Sequence, residues 1–226
     1  MFRGGILLVG LLLASHAQAG GHFDVDDAGT LDPGQCLVEI WASHTDTRPP
    51  LNGQHLGPAC RVGPVELGLN FDRFARSGDR TQVFSGPQVK WTYYGQAADA
   101  PLSAAVAGNL VFDVTHGGRN GGQFLLPVTW RASAALQVHV NLGVDWLPGT
   151  GTRSARGGAQ LEYALNPTWS VIAEYNRAFN LWTTRAGVRY SFTPLISLDV
   201  TGARIGTGSD KLTSFFVGLN YEFTRP

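Results

Sequence analysis

Charge is scarce in this sequence, and its scarcity argues against several classes of protein. Only 15% of the 226 residues are charged, and 17 Lys and Arg balance 17 Asp and Glu. A chain without net charge gives no reason to expect a nucleic-acid partner. With 11% aromatic residues and 29 glycines, a mean hydropathy of −0.03 suits neither a disordered chain nor a highly charged cytosolic enzyme.

Long apolar runs are missing after the first residues. Arg3 precedes an apolar run from Ile6 to Ala14, and Ala17-Gln18-Ala19 follows as a small-x-small cleavage site. The run is too short to span a bilayer and predicts a cleaved secretory signal peptide over residues 1–19. No later segment approaches the ~20 apolar residues of a membrane helix. We therefore expect an exported chain that is not a helical membrane protein.

Cysteine is rare as well. The two cysteines are Cys36 and Cys60, and neither stands at the cleavage site, which argues against a lipoprotein. They flank a stretch rich in Pro, Asn and Gly in a protein bound for an oxidising compartment, and this predicts a Cys36–Cys60 disulfide. Buried free thiols are the alternative. Without a CxxC or a suitably spaced His, no metal site is predicted, and we expect no cofactor.

What the sequence does contain is alternation. Apolar side chains occupy every second position from Phe215 to Phe223, with small or polar residues between them, and the same pattern runs from Leu136 to Trp146. A period of two indicates a strand with two unlike faces. The alternative of a soluble β-sandwich would have to bury its apolar faces against each other.

About eleven such segments follow one another, each of roughly the length that a tilted strand needs to cross a bilayer. A single-chain barrel with both ends on one side needs an even number of strands. We therefore predict an all-β, closed antiparallel transmembrane β-barrel of about 12 strands over residues 35–226, with ten as the next alternative and the missing strand before Ser77. Residues 20–34 form a periplasmic lead-in segment. The segments run over 35–44, 59–74, 81–95, 103–115, 122–132, 135–147, 158–166, 168–178, 181–192, 195–205 and 213–224.

Connection lengths suggest which end of the barrel is which. Tight turns at Ala132-Ser133, Asn166-Pro167 and Thr193-Pro194 alternate with looser stretches over 148–157 and 206–212. Outer-membrane barrels have short periplasmic turns and longer external loops. The tight turns all fall on the side of the C-terminus, so we expect that side to be periplasmic.

The two faces of the barrel can be assigned by position. Aromatic residues near strand ends predict girdles at the headgroup level: Trp130, Trp146, Trp169, Trp182 and Tyr190. The outward face is predicted to hold Val65, Leu67, Leu69, Phe71, Val106, Leu110, Phe112, Phe124, Leu126, Val128, Trp130, Ala159, Leu161, Tyr163 and Leu165.

Charged residues gather on the inward face. Arg185 and Arg189 lie four apart on one strand, next to strands that carry Glu174 and Asp199, and such cross-strand pairs could form a constriction. The alternative for each residue is an ordinary hydrated lumen charge. The candidate lumen or constriction residues are Arg185, Arg189, Glu174, Asp199, Arg131, His139 and Glu162.

Four acids stand close together before the first strand. Asp24, Asp26, Asp27 and Asp32 could be considered for Ca²⁺, but their spacing does not match an EF-hand loop. We expect this segment to fold against or into the lumen.

A lipid hydrolase is an alternative, because some small outer-membrane barrels hydrolyse lipids with a Ser and a His two residues apart. The nearest resemblance runs from Thr115 to Asn120, and Gly118 occupies the position of the nucleophile. We therefore predict no catalytic residue and no enzymatic activity.

Several segments resemble a known family. Phe23 to Thr30, Pro33-Gly34-Gln35, Gly86 to Trp91 and Gly218 to Phe223 are similar to the proteobacterial outer-membrane, transporter-like family named for the meta pathway of phenol degradation. The resemblance implies a barrel that takes up small compounds, aromatic or hydrophobic ones among them. It brings no functional residues with it.

Together these features predict a narrow passive channel or uptake protein for small-molecule solutes in the outer membrane of a Gram-negative bacterium. The expected partners are outer-membrane lipid and lipopolysaccharide, and the barrel assembly machinery that reads a C-terminal aromatic strand. A non-conducting structural barrel with a salt-bridged interior is the alternative, and a lipid hydrolase is the next.

Overall fold

The computed structural model describes residues 23–97, 99–147, 152–207 and 210–224. The predicted signal peptide, residues 1–19, lies outside them. None of the described residues belongs to a helix long and apolar enough to cross a bilayer. The strands are β1 (Gln35–Thr45), β2 (Leu51–Val62), β3 (Val65–Arg76), β4 (Gln82–Tyr94), β5 (Leu102–Asp113), β6 (Arg119–Arg131), β7 (Leu136–Leu147), β8 (Thr152–Ala164), β9 (Trp169–Ala178), β10 (Leu181–Thr193), β11 (Ile196–Thr207) and β12 (Asp210–Thr224).

The twelve strands close into one antiparallel barrel in which each strand pairs with its sequence neighbours. β1 and β12 complete the circle, with Gln35 opposite Thr224 and Thr45 opposite Ser214. Closure provides hydrogen-bond partners for the backbone groups of the first and last strands, which a bilayer requires. The predicted fold class is confirmed, and the strand count is 12. We call the end where β1 begins and β12 ends the lower end, and the other the upper end.

The missing strand lies before Ser77, as expected, but the predicted segment 59–74 was wrong. It combines parts of β2 and β3, which turn at Gly63 and Pro64. Gly63 has a φ of 60°, a left-handed conformation that glycine adopts without a steric penalty. The stretch between the two cysteines, expected to be a loop, contains most of β2. Gly53, Gly57 and Pro58 interrupt its apolar alternation, which explains why the pattern missed it.

The loop lengths correct a second expectation. The tight turns over 132–135, 165–168 and 194–195 do lie at the lower end, beside the start of β1. The stretches 148–157 and 206–212, however, are not long loops, because β8 begins at Thr152 and β12 at Asp210. Connections are short at both ends, so loop length does not distinguish the two sides of this barrel.

The two faces of the wall follow the predicted alternation. Apolar side chains such as Leu142 (64% exposed) and Phe215 (62% exposed) point outward, whereas their sequence neighbours Asn141 (1%) and Ser214 (0%) are buried inside. An exposed apolar band of this kind requires lipid around it. The barrel is therefore apolar outside and polar within.

Aromatic rings mark both rims of the apolar band. Near the lower end, Trp169 contacts Tyr190 edge-on with ring centroids 4.8 Å apart. Near the upper end, Tyr175 stacks on Trp182 with centroids 5.0 Å apart. Amphipathic rings at these levels match the interfaces of a bilayer.

The predicted disulfide is confirmed. Cys36 of β1 and Cys60 of β2 are direct cross-strand partners, and their sulfurs are bonded at 2.04 Å. The bond joins the first two strands close to the lower end.

Candidate functional site: the barrel lumen

Part of the lumen is filled by the segment that precedes β1. Residues 23–34, which we call the plug, run through the barrel, and Val25, Ala28 and Leu31 are at most 2% exposed. The plug is the described part of the predicted lead-in segment. Small and apolar side chains allow it to pack closely against the inner wall.

The backbone of the plug is hydrogen-bonded to side chains of the wall. The Val25 N–H donates to Glu174 Oε2 at 2.9 Å, and the Ala28 N–H donates to Thr129 Oγ1 at 2.8 Å. The Thr92 hydroxyl donates to the Ala28 carbonyl oxygen at 2.7 Å. Because the plug forms no strand or helix, these bonds replace the backbone partners that secondary structure would supply.

Asp24 is the charged anchor of the plug's first residues. Its carboxylate lies 3.3 Å from Arg156 Nη2 and 3.3 Å from Arg185 Nη2, and it accepts a 3.4 Å hydrogen bond from Asn176. These partners come from β8, β10 and β9. One side chain thus ties the plug to three neighbouring strands.

The other acids of the plug have different partners. Lys90 Nζ on β4 lies 2.9 Å from Asp26 Oδ1 and 3.7 Å from Asp27 Oδ1, whereas the Asp32 N–H donates to Gln35 Oε1 at 3.2 Å. The four acids therefore do not converge on one point. Among the described residues, no group of three or more His, Cys, Asp or Glu is arranged to hold a metal ion.

The wall against which Asp24 packs contains most of the predicted lumen residues. Arg189 makes a bidentate contact with Asp199, at 2.7 Å from Nε and 3.1 Å from Nη2, and its Nη1 lies 3.1 Å from Glu162 Oε2. Arg185 Nη1 lies 3.5 Å from Glu174 Oε1. The structure thus forms both cross-strand pairs that the spacing indicates, and all five side chains are buried.

The two remaining predicted residues lie in different surroundings. His139 is fully buried, and its Nδ1 is 2.9 Å from Thr129 Oγ1. Arg131 donates from Nη1 to Ala100 O and to Ser103 Oγ, both at 2.9 Å, and it borders an open space in the lumen. The structure therefore packs six of the seven residues into a buried half of the lumen that contains these salt bridges.

The other half of the lumen is a cavity of about 1360 Å³. Its wall comes chiefly from β1 to β6 and the plug, and it extends from lower-end turn residues such as Ser133 and Pro194 to upper-end residues such as Phe84 and Phe179. Inward polar residues on its wall include Glu39, Glu66, Asn70, Asp72, Gln88, Asn109 and Gln123. The cavity thus provides a space with a mixed polar and apolar lining along the length of the barrel beside the plug.

The cavity wall carries an excess of negative charge. Its described residues include nine Asp or Glu and only three Lys or Arg. Four of the acids belong to the plug and four to strands. Such a wall attracts cations and raises their local concentration.

Inward aromatic residues were not identified from the sequence. Trp41 lies inside the lumen and stacks on His55, with ring centroids 5.1 Å apart, and Phe74 and Phe84 line the same cavity. His55 Nδ1 lies 2.7 Å from Asp72 Oδ1. The alternation of the strands could have located these rings. Each lies an odd number of residues from an outward-facing residue of its own strand, and such a residue points inward.

The connection between β5 and β6, which most resembles a hydrolase site in sequence, contains a different arrangement. His116 Nδ1 lies 2.8 Å from Asp113 Oδ2 in the connection between β5 and β6, and position 118 is Gly. A His–carboxylate contact without a serine beside it does not form an acyl-transfer site.

Comparisons with known proteins agree with the fold. The profile of the family described as Uncharacterised conserved protein UCP029691 matches residues 7–223. No curated protein sequence matches the chain.

Solved structures of outer-membrane barrels are similar to the structure of this chain. KdgM porin superposes with a TM-score of 0.65 at 10% identity, over 83% of this chain and 99% of that chain. The COG4313 outer membrane channel from Pseudomonas putida F1 superposes with a TM-score of 0.56 at 15% identity, over 89% and 100%. Outer membrane phospholipase A from Escherichia coli gives 0.52 at 11%, over 87% and 93%. At these identities the likeness shows the fold.

Proposed function

The chain belongs to the family of Uncharacterised conserved protein UCP029691, and we propose that its barrel is a narrow passive channel for small solutes in the outer membrane of a Gram-negative bacterium. The observation that carries the proposal is the cavity of about 1360 Å³ beside the plug. A barrel that served only as a structural element would gain stability by filling this space. The carboxylates and amides on its wall instead favour water and small hydrated solutes.

The lining indicates what the channel accepts. Carboxylates and the rings of Trp41, Phe74 and Phe84 share the cavity, so apolar rings and positive charges both find contacts there. This supports the solute class implied by the family resemblance, namely small compounds that include aromatic or hydrophobic ones. The structure of KdgM porin in complex with disordered oligogalacturonate supports the entry of a solute into a barrel of this shape.

A non-conducting barrel is the second candidate, and the plug favours it. The plug is fixed by Asp24 to β8, β9 and β10, and by Lys90 to β4. A plug held from several sides could keep the lumen closed. The two candidates differ in whether the cavity beside the plug conducts.

A planar-bilayer recording on the refolded mature protein tests the proposal. Discrete ion-conducting steps are expected, because the cavity reaches residues at both ends of the barrel. Silence at all voltages would contradict the channel and favour the structural barrel. Release of fatty acid from phospholipid by the same preparation would instead reveal a hydrolase.

A further inference from the structure

The charges on the outer wall are unusually one-sided. Among the side chains that the structure describes, five Lys, Arg, Asp or Glu occupy outward positions of the strands, and all five are basic: Arg73, Arg153, Arg177, Arg204 and Lys211. Each lies close to the upper end of its strand. No Asp or Glu holds an outward strand position among the side chains that the structure describes. At these described positions the lipid-facing wall is thus basic at the upper rim and carries no Lys, Arg, Asp or Glu at the lower rim.

Four of these residues form an elongated patch on β8, β9, β11 and β12, in which Arg153 stands four residues above Gly157, the ladder partner of Arg177. Along the ladder Arg177 is opposite Trp182, Trp182 is opposite Gly206, and Gly206 is opposite Lys211. Arg177 and Lys211 therefore lie at one level, three strand spacings or about 14 Å apart along the sheet. Like charges repel, so grouping them on an apolar surface is favourable only with an anionic partner.

A groove in the apolar wall begins directly below the patch. It has a volume of about 350 Å³ and is lined by Ala155, Gly157 and Ala159 of β8, together with Tyr175, Arg177 and Trp182. Small side chains on β8 leave the space open, and the stacked rings of Tyr175 and Trp182 form one side of it. The guanidinium carbon of Arg177 lies 6.0 Å from the centre of the Trp182 ring, which places a positive charge at the top of an apolar groove.

We propose that the patch and groove bind a phosphorylated glycolipid of the outer leaflet, lipid A. Arg177, Arg204 and Lys211 hold its phosphates, Arg153 contacts the headgroup above them, and an acyl chain occupies the groove over Ala155, Gly157 and Ala159. A charged headgroup above an apolar tail matches this order of surfaces, whereas a soluble anion would leave the groove unused. The upper end then faces the cell exterior. This inference is independent of whether the lumen conducts.

Lipid A binding to the purified barrel in detergent tests the charged patch. The substitutions R153Q/R177Q/R204Q/K211Q remove the patch, and R48Q/R80Q remove two exposed arginines from the β1–β2 and β3–β4 connections of the same end. A basic residue near an anionic lipid surface contributes about 1 kcal/mol, or about five-fold in affinity. We expect the quadruple variant to bind lipid A at least about 100-fold more weakly, and R48Q/R80Q to bind within about two-fold of wild type.

A second pair of variants tests the groove without changing charge. Ala159→Phe fills the groove, whereas Ala104→Phe adds the same ring to an outward position of β5, away from the patch. We expect only Ala159→Phe to weaken lipid A binding. The proposal is overturned if the quadruple variant binds as wild type does, if phosphatidylethanolamine binds as tightly as lipid A, or if inorganic phosphate alone displaces the lipid. Altered migration of the folded band on seminative gels would identify a variant that has failed to fold.

Discussion

Removing the Asp24 carboxylate should loosen the plug, and the size of the effect can be worked from its contacts. In Asp24→Ala, Arg156 and Arg185 each lose a partner that lies 3.3 Å away. The Arg185 side chain is only 3% exposed, so it cannot recover the contact from bulk water without moving, whereas Asp24 itself is 31% exposed. The substitution therefore removes a partly exposed carboxylate from its contact with a buried arginine.

A hydrogen bond to a charged group contributes about 1.5–3 kcal/mol, and the partial exposure of Asp24 reduces the sum of its contacts. We take about 2 kcal/mol for the attachment that is lost, which corresponds to a roughly 30-fold shift toward a detached plug. Single-channel recording measures this shift as the fraction of time spent in a larger conductance state. Asp32→Ala is the matched control, because Asp32 belongs to the same segment but is exposed.

The larger conductance state should be about 30-fold more populated in Asp24→Ala and unchanged in Asp32→Ala. If Asp24→Ala folds and records like wild type, Asp24 does not hold the plug in place and the reasoning is refuted. If both variants open equally, the plug is loosened by charge alone and not by the contacts with Arg156 and Arg185.

Three further predictions follow from other parts of the barrel. Replacing Cys36 and Cys60 with serine should lower the free energy of unfolding by about 3 kcal/mol, because the disulfide closes a loop with a sequence separation of 24. Urea unfolding in detergent measures this change, and an unchanged unfolding midpoint would contradict the prediction. Arg189→Met should cost about 3–5 kcal/mol by leaving two buried carboxylates without their partner, whereas Arg80→Met should cost less than about 0.5 kcal/mol in the same experiment. The reversal potential in a KCl gradient should show that K⁺ permeates more readily than Cl⁻, because acidic residues outnumber basic ones on the cavity wall. A preference for Cl⁻ would contradict this prediction.

The sequence was sufficient for the wall of the barrel because strand faces depend only on parity. Once Phe215 points to lipid, Ser214 and Phe216 must point inward, and the pairs Arg189–Asp199 and Arg185–Glu174 follow from the register of short hairpins. The strand count needed one global rule, the even number required for closure. β2 was missed because its glycines and proline disrupt the alternation on which the prediction rests.

The division of the lumen into a packed half and an open half could not be predicted in the same way. It depends on where the plug lies, and the plug is held by single side chains such as Glu174 and Thr129, which are 149 and 101 residues away from their plug partners. No local pattern encodes such contacts. For this reason the predicted constriction residues are found together but mostly outside the cavity.

The proposed solute pathway is tested most directly by attaching a bulky group to its wall and measuring the ion current. Asn109→Cys places a thiol on the cavity wall, and Gln160→Cys places one in the packed half, where Gln160 is 1% exposed. A water-soluble, bulky thiol reagent added during planar-bilayer recording should reduce the current through Asn109→Cys and leave Gln160→Cys unchanged. Current that persists after complete modification of Asn109→Cys, or block of Gln160→Cys alone, would contradict the claim that solutes pass along the β1–β6 side of the lumen.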